Sequence, residues 1–164
     1  MSALLSDQVR LVTWFSKGTG SSYFKEQTQH FTDVEGVKRT TATLDSIVDR
    51  YGQGARFQYI KIDAQGAEID ILKGGNKTLS SAEYIQLELP FGGEYNRNAP
   101  TFADYIKYMD GIGFTPVAEC EQHQLRSPSS HGNWLVFQID FIFAKKNNAY
   151  IKVLQQVIHD QGGL

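Results

Sequence analysis

A chain of 164 residues with 41% hydrophobic and 12% aromatic content is long enough for an apolar core, so residues 1–164 are read as one domain. A formal net charge of −2, with no basic run, argues against a nucleic-acid partner. No apolar run approaches the roughly 18–20 residues of a membrane span. The N-terminus MSALLSDQVR has neither the basic segment nor the apolar stretch of a signal peptide, which leaves a cytoplasmic address by default.

Val9 to Phe15 (VRLVTWF) is rich in β-branched and aromatic types and reads as a strand, followed by a loop, Lys17 to Ser22 (KGTGSS). The loop's glycines match neither phosphate-binding spacing. Tyr23 to Gly36 is polar, with His30 and Phe31 embedded. Leu44, Ile47, Val48 and Tyr51 then fall on one face of a short helix that Thr43 caps and Gly52 and Gly54 stop. Its apolar stripe is core.

Phe57 to Gly75 (FQYIKIDAQGAEIDILKGG) changes period at its middle. Phe57, Tyr59, Ile60 and Ile62 make the nearly continuous apolar run of a central parallel strand. Asp63 stands where that strand ends, Gly66 allows a tight turn, and Ala67, Ile69, Ile71 and Leu72 follow at helical spacing until Gly74-Gly75. Ligands collect beyond the carboxyl ends of parallel strands, so Asp63 is placed to meet one; the plainer role for an Asp there is a helix cap. Tyr84 to Leu89 (YIQLEL) is a second strand stopping at an acid, Glu88, before Pro90. The two carboxylates are expected to face one crevice, under a loop, Phe91 to Asn98, that carries Glu94, Tyr95 and Arg97.

Thr101 and Asp104 open a helix whose buried face is Phe102, Tyr105, Ile106 and Met109. Phe114–Cys120 and Trp134–Ala144 read as a closing antiparallel pair joined by a polar loop, 121–133, and Tyr150 to Ile158 as a last amphipathic helix docked on the sheet or on a partner chain. The single Cys120 reads as buried filler rather than a nucleophile. His30, His123, His131 and His159 have no zinc-site spacing. Asp63 and Glu88 could hold a hard divalent cation through oxygen, but no third ligand is in view, and no metal is expected.

The stretch KIDAQGAEIDILKGG, followed by a strand ending in QLEL, resembles the second half of the FkbM-like methyltransferases. The similarity extends upstream to TATLDSIV and downstream to FADYIKYMDGIGF and IDFIFAK. It implies an α/β fold, a Rossmann-like class I methyltransferase sheet present in part, with central parallel strands, a C-terminal antiparallel hairpin and flanking helices. It implies S-adenosylmethionine (SAM) as cofactor and O-methylation of a small-molecule or sugar hydroxyl. Asp63 and Glu88 are then the candidate catalytic acids, Asp63 first, since aligning the acceptor and taking its proton is the main task in methyl transfer. Asp63 and Gly66 are candidates for cofactor contact; Tyr23, His30 and Tyr95, with Ser21, for acceptor contact. The glycine-rich first strand-turn and the acidic second-strand end with which the family holds SAM have no counterpart here. The alternative is a non-catalytic assembly or ligand-binding domain. In the class I order 3-2-1-4-5-7-6 the chain would supply the last four strands, so 59–62 becomes an edge, expected to pair with Val9–Phe15 or with a second copy in a homo-oligomer.

Overall fold

The structure is a computed structural model that describes residues 2–16, 18–27, 34–93, 96–126 and 134–161. In chain order the elements are β1 (Leu11–Phe15), β2 (Gly36–Thr40), α1 (Leu44–Tyr51), β3 (Tyr59–Ile62), α2 (Glu68–Lys73), α3 (Asn76–Leu79), β4 (Tyr84–Pro90), α4 (Phe102–Gly111), β5 (Phe114–Arg126), β6 (Trp134–Lys145) and α5 (Ala149–Gln161). Among the described residues it is a mixed α/β structure with two sheets: β1 and β2 form an antiparallel ribbon, and the main sheet runs β3-β4-β6-β5. β3 lies parallel to β4, and β6 runs antiparallel to both its neighbours.

The core is built on β4, whose Ile85, Leu87 and Leu89 are fully buried together with Leu72 from α2, Tyr105 and Met109 from α4 and Phe143 from β6. α4 starts as its sequence dictates: Thr101 accepts from the Asp104 amide while the Asp104 carboxylate accepts from the Thr101 amide, a complete capping box. α1 is capped by Thr43, and its Asp45 accepts from the amides of Lys77 and Thr78 at 2.9 and 2.8 Å. That acid satisfies the otherwise unpaired first N–H groups of α3.

Several expectations are corrected. β3 is the edge strand that the partial class I order implies, buried fully only at Ile62, and not the central strand that its apolar run suggests, because among the described residues it pairs with β4 alone. β1 pairs with β2 instead of β3. β5 continues to residue 126 through residues that read as loop, and Cys120 on it is exposed. α5 buries Ile151 but leaves Val153, Val157 and Ile158 exposed, so its apolar stripe is not docked on the sheet. Among the described residues no helix is long and apolar enough to cross a membrane.

Candidate functional site

The turn after β3 is held by a residue to which the sequence reading assigned no role. Gln65 and Gly66 both take positive φ, 51° and 100°, so the chain reverses within two residues. Glu68, fully buried in the first turn of α2, reaches back to this turn. Its Oε1 accepts from the Ala64 amide at 2.7 Å and its Oε2 from the Gly66 amide at 3.0 Å, while the Tyr105 hydroxyl donates to Oε2. Burial pushes the Glu68 carboxyl above its ordinary value, and these donors oppose the shift. From outside, Ser22 Oγ and Asn96 Nδ2 both donate to the Gln65 carbonyl, at 2.9 and 2.8 Å. The signal for Glu68 was present as an acid two residues after the turn glycine. Asp63 makes no cap, since α2 begins after Ala67 without a side-chain cap bond.

Freed from capping, Asp63 lines a cavity of about 360 Å³ along the outer edge of β3. Its side chain is 42% exposed and lies 3.9 Å from Lys61 Nζ. Tyr23 and Ser21 stand in the same wall as Asp63, with Trp14, Leu44 and Ile60. The Tyr23 hydroxyl is committed, donating to Asp70 Oδ2 at 2.9 Å beside Arg10, so the ring rather than the oxygen is what it offers a ligand. His30 and Tyr95 lie outside the described residues.

Glu88 is next to Asp63 but opens elsewhere. Gln65 Nε2 bridges the pair, 3.3 Å from Asp63 Oδ1 and 2.6 Å from Glu88 Oε2, yet Glu88 lines a separate recess of only about 20 Å³ with Gly66, Asn96, Ala99 and Gln138. The two acids therefore do not share one crevice. Glu88 faces instead toward β5 and β6, where His123 Nε2 is 3.4 Å from its Oε1 and 3.8 Å from Asp140 Oδ1. Burial first, then the charges of Asp63, Asp140 and Glu68, push the Glu88 carboxyl up to about 8, against the hydrogen bond from Gln65.

That shift has a thermodynamic sign. The unfolded chain releases this proton near the ordinary glutamate value and the folded chain only near 8, so folding binds a proton between the two. Stability contributed by the neutral carboxyl is complete below the unfolded value and is lost as pH rises toward 8. In chelator, the free energy of unfolding is expected to fall by roughly 3 kcal/mol between pH 5 and pH 8. Glu88→Gln should flatten most of that slope in urea titrations; an unchanged slope would place the titration elsewhere.

The cofactor implied by the resemblance can be tested against these residues. SAM presents ribose hydroxyls, an ammonium and a carboxylate, and the last is ordinarily met by unengaged backbone N–H groups at a strand-to-helix turn. Here the turn amides of Ala64 and Gly66 are occupied by Glu68. A Cβ placed on Gly66 would meet the Ala99 methyl at 2.8 Å, so protein rather than ligand fills the face that the missing side chain leaves open. Gly66 is thus required for the turn and its packing. Asp63 can accept from a hydroxyl or an ammonium, but the described residues do not fit the whole of SAM.

The model of the methyltransferase FkbM domain matches residues 7–122, from the N-terminal segment into β5, ending at the residue before His123. No curated protein and no solved structure matches the chain.

Proposed function

The chain belongs to the FkbM methyltransferase family, and from that premise we propose that it carries the acceptor side of methyl transfer to a hydroxyl oxygen of a small molecule or sugar. The observation that carries this reading is Asp63: a carboxylate at the carboxyl end of β3, half-open in the wall of a cavity of about 360 Å³. A cavity of that size suits a small ligand. Asp63 accepts the hydrogen bond of the acceptor hydroxyl and holds its proton, while Trp14 and the Tyr23 ring offer apolar faces to the rest of the molecule. SAM supplies the methyl group in such reactions, and the strand order β3-β4-β6-β5 supports placing these elements at the 4-5-7-6 end of a Rossmann-like class I sheet.

The poor fit to SAM favours a second reading, a ligand-binding domain that keeps the sheet without the chemistry. Methyl-labelled SAM at several millimolar, offered with a panel of glycosides and phenols, separates the two. Label on acceptor oxygen, reduced about a hundredfold by Asp63→Asn, is expected from the first reading. Label transfer that survives Asp63→Asn within about threefold removes Asp63 from the role; acceptor binding without any transfer supports the second.

A further inference from the structure

We propose that Glu88, His123 and Asp140 form a binding site for one divalent first-row transition ion, independent of the methyl-transfer reading. The three residues come from three neighbouring strands. Glu88 on β4 stands directly opposite Asp140 on β6, and His123 on β5 stands opposite Gln138, two residues before Asp140. Residues two apart on a strand share a face, so the register gathers all three on one side of the sheet. One ligand atom from each lies within 4.8 Å of the others.

Each carboxylate is already held by one oxygen and leaves the other toward the imidazole. Glu88 Oε2 accepts from Gln65 and Gln138 at 2.6 and 2.9 Å. Asp140 Oδ2 accepts from Gln86 at 2.6 Å and pairs with Lys61 Nζ at 3.2 Å. Such outer partners orient the ligands of a metal site. The oxygens left over are Glu88 Oε1, 3.4 Å from His123 Nε2, and Asp140 Oδ1, 3.8 Å from it. Asp140 is 1% exposed and its Oδ1 has no hydrogen-bond partner. A buried acceptor without a donor is costly.

An imidazolium could balance the two acids only loosely, because both separations exceed hydrogen-bond length. A cation about 2.1 Å from each ligand holds tetrahedral neighbours about 3.4 Å apart, close to what is observed. One imidazole and two carboxylates suit Zn²⁺, Co²⁺, Fe²⁺ or Mn²⁺ better than Mg²⁺ or Ca²⁺. Three protein ligands leave the ion a position for water or a ligand atom.

The test is titration of chelator-stripped protein with Co²⁺ and Zn²⁺, followed by calorimetry and visible absorption. Expected are one equivalent bound with a micromolar dissociation constant, a Co²⁺ absorption band, and a melting temperature about 5 °C higher at a hundredfold excess over that constant. His123→Ala, at a partly exposed position, and Asp140→Asn should each weaken binding at least about thirtyfold, whereas His159→Ala on exposed α5 should not. Melting curves without metal show whether each variant folds, and His123→Ala decides the outcome should Asp140→Asn fail to. Absence of saturable binding below about 1 mM, affinity retained in His123→Ala, or tighter binding of Mg²⁺ than of Co²⁺ would overturn the assignment.

Discussion

Glu68→Ala is expected to cost about 4 kcal/mol of unfolding free energy and to lower the melting temperature by about 10 °C. The truncation strips acceptors from the amides of Ala64 and Gly66 and from the Tyr105 hydroxyl, all met by a carboxyl of zero exposure. Each donor left buried and unmet costs about 1–3 kcal/mol, and the lost side chain leaves a void beside the fully buried Tyr105. Glu68→Gln keeps the volume and one acceptor oxygen and removes the charge that burial disfavours, so about half the loss is expected. Urea denaturation of the three proteins measures both steps. A loss under about 1 kcal/mol for Glu68→Ala would mean that water or a rearranged turn replaces the carboxyl.

Where chemistry and local pattern coincide, the sequence was readable. The strand-turn-helix of β3 and α2, the capping box of α4 and the Thr43 cap of α1 each announce themselves within a dozen residues. The apolar stripe of α1 is not the core it reads as, since no residue of α1 is fully buried and Tyr51 is exposed. What escaped lies where pattern carries no burial signal. β2 (GVKRT) is exposed throughout, so no alternation marks it. The far half of β5 is polar and mostly exposed, which reads as loop and hid His123 on a strand. Asp140 was legible only as part of the closing strand, and its meeting with Glu88 depends on cross-strand register, a non-local property that spacing along the chain does not encode. The expectation that Asp63 and Glu88 open on one crevice failed for a related reason. Strand ends predict proximity, and Gln65 does bridge the two acids, but the direction of each opening depends on what packs above it.

SAM should bind to residues 1–164 no tighter than about millimolar. The charged ends of the cofactor need partners before its immobilisation, which costs several kcal/mol, is offset. Asp63 can serve one hydroxyl or the ammonium, and Lys61 is drawn toward Asp140 at 3.2 Å and Asp63 at 3.9 Å, which leaves it a weak partner for the carboxylate. The amides that would ordinarily receive an anion at this turn already serve Glu68. Adenine could lie against Leu44, Ile60 and Trp14 in the cavity beside β3, a contact that supplies affinity without fixing the sulfonium. Calorimetric titration with SAM, and with the demethylated product as a second probe, measures the outcome directly. Micromolar binding that Asp63→Asn weakens more than tenfold would show that the edge cavity is a cofactor site after all, with the Glu68-held turn as its wall; micromolar binding indifferent to Asp63 would place the cofactor elsewhere on the chain or between two copies of it.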